Sequence, residues 1–260
     1  MIRRWWRARR ERRVLEQRPI PDALWRATVA AHPFLAALSP DEAGRLHALA
    51  TLFLADKEFS AAGGLEITDA MAVSIAAQAC LPVLELGLDL YRGFVGIVVH
   101  PDEVVARRSH ADEIGVVHEY DEPLVGEAVE GGPVMLSWRD VAEAGASAEQ
   151  GYNVVIHEFC HVIDMADGAA DGVPPLRDAA AHRHWRLVVE AGHERLCRQI
   201  GGGQSPFLDP YGAESVEEFF PVAAEAFFVA PRALRDEQPQ LYELFVGYFG
   251  QDPAARIARP

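Results

Sequence analysis

The sequence predicts an α+β fold, mostly helical, with a small mixed β-sheet over one buried helix. Three observations carry this. Stretches with helical spacing occupy both ends of the chain, and short β-branched runs cluster near its middle. After them comes one apolar helix, NVVIHEFCHVID (Asn153–Asp164), interrupted by histidines and carboxylates. Helices, then strands, then helices again is an α+β order rather than an alternating parallel one.

Taken in order, the chain opens on MIRRWWRARRERR, which holds seven Arg and one Glu, a charge of +6. The whole chain of 260 residues carries −15, so the remainder stands at −21. Residues 1–20 therefore read as a basic arm, solvated or helical, with acidic lipid or an acidic partner as the alternative. Residues 21–260 read as a single domain, helical over 21–90 and bearing the sheet and the polar helix over 91–260. Half the residues are hydrophobic, enough for one large core. The acidic body argues against nucleic acid as a partner. No apolar run reaches the ~18 residues of a transmembrane helix. The paired arginines lack the apolar segment of an export signal. Cys80, Cys160 and Cys197 are unclustered and fit neither a disulfide framework nor a cysteine zinc site, so a reducing cytoplasmic location is expected.

LSPDEAGRLHALATLFLADK offers Ser39 as a cap, Pro40 at the first helical position and Glu42 at the third. DAMAVSIAAQACLPVLELGLDLY is helical with a break expected at Pro82. GFVGIVVH (Gly93–His100) reads as a covered strand, IGVVHEY and GEAVEGG as short strands, and GPVMLSW (Gly132–Trp138) as a strand after Gly-Pro. GPVMLSW is either an edge along which an extended peptide adds by main-chain hydrogen bonds, or an ordinary core strand. The polar helix follows and closes near Gly168. Residues 178–200 are helical, LDPYGAESVEEFFPVAAEAFFVAP leads into a second apolar helix bearing carboxylates, and the aromatic stripe of PQLYELFVGYFG reads as core packing.

The polar groups of NVVIHEFCHVID need partners, because the rest of that helix is apolar. His157 and His161 are four apart and share a face, with Asp164 on the same stripe and Glu158 beside His157. His-Glu-x-x-His on a helix supplies two imidazole ligands for zinc and a carboxylate placed to take a proton from water. The plainer alternative is a buried helix whose histidines bond to backbone carbonyls. Asp164 reads as orienting a ligand histidine, capping the helix or pairing with an arginine.

A catalytic zinc needs a third protein ligand. Asp167, six after His161, is one candidate, although Asp164 stands where a turn-forming Gly would be needed. Asp209 of LDPYG is another. Glu218, at the entrance to a buried segment, is the favoured one among Glu214, Glu217, Glu218 and Glu225. Against it, Ser215–Glu218 (SVEE) matches a capping box that would turn Glu218 back on Ser215, and Pro221 would kink the helix.

The segments LPVLELGL (Leu81–Leu88), GPVMLSW, NVVIHEFCHVID, GVPPLRD and DPYGAESVEEFFPVAAEAFF together resemble the Mlc titration factor A family of zinc peptidases, whose catalytic region is similar to that of anthrax lethal factor. The likeness extends from about Leu24 to Pro253. It implies a zincin-like metallopeptidase fold and one Zn2+ ion held by His157, His161 and Glu218. It implies Glu158 as general base and Tyr211, seven residues before Glu218, as donor to the transition state. It also implies a peptide or protein substrate, aminopeptidase activity, and in some members binding to a transcriptional repressor similar to Mlc. Pro221 and the arginine-rich start depart from the family pattern. The rival reading is a repressor-binding regulator whose zinc is structural or vestigial; an intact Glu158 favours the enzyme.

Overall fold

The computed structural model describes residues 2–102, 104–111, 117–124, 126–128 and 131–256. Four helices open the chain: α1 (Ile2–Gln17), α2 (Asp22–Ala31), α3 (Pro33–Ala36) and α4 (Pro40–Asp56). The capping box at Ser39 forms as its sequence requires. Ser39 Oγ accepts the Glu42 N–H, and Glu42 Oε2 accepts the Ser39 N–H at 2.9 Å. After strand β1 (Glu58–Ala61) comes α5 (Asp69–Cys80), buried at nearly every position. It stops two residues before Pro82, whose ring nitrogen has no N–H to continue the helical hydrogen bonds, although Leu81 between them still has helical backbone angles.

The strands are β2 (Gly96–His100), β3 (Val104–Ala111), β4 (Val117–Leu124), β5 (Gly126–Ala128) and β6 (Val134–Ser137). One sheet has the order β1-β2-β6-β5, with β1, β2 and β6 parallel and β5 antiparallel to β6. The sheet is therefore mixed, as expected. β3 and β4 form a separate antiparallel pair. The first three residues of IGVVHEY, and Glu130 with Val129 of GEAVEGG, lie outside the described residues.

GPVMLSW does not lie at an edge. β6 is flanked by β2 and β5, and Val134, Leu136 and Ser137 are buried, so the core-strand reading holds. The edge next to it is β5, whose Gly126 pairs with Leu136. The polar segment forming β1 carried no strand signal; it is mostly exposed and makes the opposite edge.

The remaining helices are α6 (Trp138–Ser147), α7 (Val154–Asp164), α8 (Ala179–Gly201), α9 (Val216–Val229), α10 (Pro231–Glu237), α11 (Pro239–Phe249) and α12 (Pro253–Arg256). α7 is the central element and packs on α5, α9, β5 and β6. Phe159 sits among Phe53, Tyr91 and Phe94, with ring centroids 5.0 to 5.7 Å away. A second aromatic cluster joins Trp185, Phe220, Phe227, Phe245 and Phe249, so the stripe of the last long helix is core packing. α9 continues through Pro221 to Val229, and the kink expected there does not end the helix. Pro221 has no N–H, so the helix lacks one hydrogen bond there and continues past it.

Candidate metal centre

α7 begins at Asn153, whose Oδ1 accepts the Ile156 N–H at 2.9 Å. From that fixed start, the 3.6-residue period puts His157 and His161 on one face, towards α9. α9 begins at Ser215, whose Oγ accepts the Glu218 N–H at 3.3 Å. This is half of the capping box read from the sequence. The other half is absent, because the Glu218 carboxylate turns to the histidines. The backbone of Glu218 is thus capped while its side chain serves a different purpose.

Three atoms converge between the two helices. Glu218 Oε2 lies 3.2 Å from His157 Nε2 and 3.2 Å from His161 Nε2, and the two nitrogens are 3.2 Å apart. A zinc tetrahedron with bonds of ~2.0–2.1 Å has corners ~3.3 Å apart. The triangle therefore matches one face of such a site. His157 Nδ1 donates to Glu225 Oε1 at 2.7 Å, which leaves the Nε2 lone pair pointing at Glu218 and His161. Lone pairs this close repel unless a cation or a proton sits among them, so the residues fit a metal. Burial would lower the basicity of His157, but the Glu225 charge and hydrogen bonds to Glu218 and Glu225 overcome it and hold the ring well above the ordinary histidine range in the metal-free state. Burial likewise would raise Glu218, and its bonds to His157 and His161 pull it far below the usual carboxylate range.

The profile of the glucose-regulated metallo-peptidase M90 family matches residues 3–250. The chain belongs to this family of metallopeptidases. Among its relatives, Mlc titration factor A of Pectobacterium atrosepticum is 35% identical over 237 residues, covering 90% of this chain and 88% of the relative. Mlc titration factor A of Serratia proteamaculans is 36% identical over 242 residues, 91% and 90% of the two chains. An uncharacterized Synechocystis protein is 35% identical over 250 residues, 95% and 90%. The M90 assignment gives the helical fold, its small sheet and the His157–His161–Glu218 cluster a common account as a zincin-like metallopeptidase.

The other third-ligand candidates go elsewhere in this M90 chain. Asp167 is exposed in a short 3₁₀ turn, and Asp209 Oδ1 accepts the Tyr211 N–H at 2.9 Å. Asp164 neither orients a histidine nor pairs with an arginine among the contacts described. Its Oδ2 accepts the Gly172 N–H at 2.8 Å and so holds the loop after α7. Gly172 in turn packs on the start of α9, where an added Cβ would lie 2.6 Å from Val216 O. Tyr211 stands near the site, its ring centroid 6.1 Å from that of His157, and is 40% exposed.

The residue that sequence reading missed as an orienting group is Glu225. It lies seven after Glu218, two turns along the same face of α9, and that spacing was the available signal. Its second oxygen accepts the Asn153 N–H, and Asn153 Nδ2 donates to Gln78 Oε1 at 2.8 Å. The result is a buried polar chain from α5 through the start of α7 to the metal site.

Glu158 lies under β5. It is 4% exposed, and its Oε2 has no hydrogen-bond partner among the described residues. A Cβ added at Gly126 would fall 2.4 Å from Glu158 Oε1, so only glycine lets the edge strand come this close. Burial pushes the Glu158 carboxyl up to about 7, with His157 and His161 pulling it the other way.

Proposed function

We propose that this chain is a zinc-dependent peptidase in which His157, His161 and Glu218 hold Zn2+, Glu158 is the general base and Tyr211 donates to the developing oxyanion. The observation that carries this reading is the 3.2 Å triangle of two imidazole nitrogens and one carboxylate oxygen. Two nitrogens and one oxygen, with a fourth position left to water or substrate, are the donor set of catalytic zinc. When bound, the cation supplies Lewis acidity, polarising a carbonyl and making a water easier to deprotonate. Glu158 has an oxygen free of hydrogen bonds and sits next to His157, which suits it to take a proton and return it to the leaving amine. Glu225 keeps the His157 proton on Nδ1 and thereby keeps Nε2 a ligand. The Tyr211 hydroxyl, on a partly exposed ring beside His157, is suited to hydrogen-bond the substrate oxygen, a contact of a kind worth about 3 kcal/mol.

In this reading residues 21–260 act as one catalytic unit and residues 1–20 as its basic arm. Short peptides with a free amino end are the first substrates to try, at a cytoplasmic location. Among the described residues no helix is long and apolar enough to cross a membrane. A second reading draws on the relatives' name, Mlc titration factor A: the chain also binds a transcriptional repressor similar to Mlc.

Turnover of aminoacyl and peptide chromogenic substrates by the zinc-loaded chain, measured beside Glu158→Gln, tests the proposal. Turnover that chelation abolishes and zinc restores, and that is lost in Glu158→Gln with zinc still bound, is the expected result. Stoichiometric zinc with no turnover, together with tight repressor binding, transfers the function to the second reading. Failure of the purified chain to take up zinc overturns the first.

A further inference from the structure

We propose that the outward face of α1 docks on an anionic lipid bilayer and holds the acidic body of the protein beside a membrane surface. The helix is fastened to the body along one face. Glu11, Val14 and Leu15 are half-buried, and Arg7 and Arg10 bridge to Asp89 and Asp56 at 2.6 Å. Residues 5–10 are all exposed even so, Arg7 and Arg10 included. α1 thus lies along the body, with Trp5, Arg9, Arg12 and Arg13 exposed on the face turned to the surroundings.

What the outward face presents is specific. Trp5 is 56% and Trp6 61% exposed, whereas Trp185 of the core is 1% exposed. Exposed indoles side by side are uncommon on a surface that meets only water, and indole settles at the headgroup level of bilayers. Arg9 stacks over Trp5 at 5.5 Å, and Arg9, Arg12 and Arg13 are exposed on the stripe that continues from Trp5 along the helix. Trp6 lines a groove of about 520 Å³ that also contains Val95, itself 53% exposed, so the apolar surface extends onto the body. A basic stripe with Trp at its tip is the composition of an interfacial helix.

Two features favour a bilayer over other polyanions. Trp5 and Trp6 meet edge to face, 81° apart with centroids at 5.0 Å, so they do not offer parallel platforms on which successive bases stack. The outward arginines of α1 can also meet a flat surface, and salt screens the repulsion from the remainder of the chain, at −21, beyond about 8 Å.

Co-sedimentation of the full chain with vesicles of mixed phosphatidylglycerol and phosphatidylcholine, against vesicles of phosphatidylcholine alone, tests this. The expected result is binding to the anionic vesicles only, weakened by salt, with a blue shift of tryptophan emission. W5S/W6S should lower the partition about tenfold or more, and R9Q/R12Q/R13Q about 100-fold, with circular dichroism and metal binding unchanged. The idea is overturned by no binding to anionic vesicles at low salt, by binding that both variants retain, or by retention on single-stranded DNA or polyglutamate stronger than on vesicles.

Discussion

Glu225 Oε1 accepts a hydrogen bond from His157 Nδ1 at 2.7 Å, and this one contact between α9 and α7 determines which nitrogen of His157 faces the metal position. The carboxylate is 2% exposed, and its other oxygen is committed to the Asn153 N–H. It has no freedom to turn away, so the imidazole has none either.

Glu225→Gln keeps the volume and removes the charge. Its amide nitrogen must face either His157 Nδ1–H or Asn153 N–H, donor against donor. Metal affinity is expected to fall roughly 10–100-fold, the usual cost of losing such a carboxylate. Competition with a calibrated zinc chelator measures it, and an affinity within twofold of the wild type refutes the orienting role.

Gly126→Ala acts on the other side of α7. The new Cβ meets Glu158 at 2.4 to 2.7 Å, closer than atoms tolerate, so β5 or the carboxylate must shift. In the proposed mechanism Glu158 accepts a proton, and displacing it by about 1 Å costs on the order of 100-fold in kcat/KM. Metal content should be unchanged, because the nearest atoms to a Cβ at Gly126 belong to Glu158 and to none of His157, His161 and Glu218. Parallel loss of metal and of turnover would place the damage in the fold instead.

Asp164 links stability to pH. It is fully buried, and burial pushes its carboxyl from 3.8 up to about 6, with the Gly172 and Val173 N–H groups opposing. A raised folded value means the native state keeps a proton that the unfolded chain has released between about pH 4 and about pH 6. Stability from this group therefore falls as pH rises through that window and stays lower above it. In chelated protein, Asp164→Asn should become the more stable of the two as pH increases, by up to about 3 kcal/mol at neutral pH. Urea melts across the window give the difference, and a flat difference curve contradicts the assignment.

Gly172→Ala tests the loop that Asp164 holds. Gly172 has φ +74°, and a Cβ there would press on Val216 O at 2.6 Å, at the first turn of the helix carrying Glu218. A loss of about 1–3 kcal/mol in stability is expected from the backbone strain alone. Denaturant unfolding measures it. A loss below about 0.5 kcal/mol means the loop gives way without consequence.

Much of the site was legible before any coordinates. The four-residue spacing of His157 and His161, the apolar surroundings that bury them and the carboxylate at Glu158 are local properties of one helix, and helical periodicity alone puts them on neighbouring faces. Caps are local too: the Ser39 capping box formed because its donors and acceptors lie within one turn. Glu218 was favoured on similar grounds, from a carboxylate at the mouth of an apolar run. The tertiary structure alone settled matters between segments far apart in the chain. It turned the Glu218 carboxylate away from the cap that holds its backbone, gave Glu225 rather than Asp164 the task of orienting His157, and put β5 instead of β6 at the edge over Glu158. Periodicity tells which side chains share a face of one element. Which face of another element arrives opposite, and at what distance, depends on packing across a core that no short window of sequence contains.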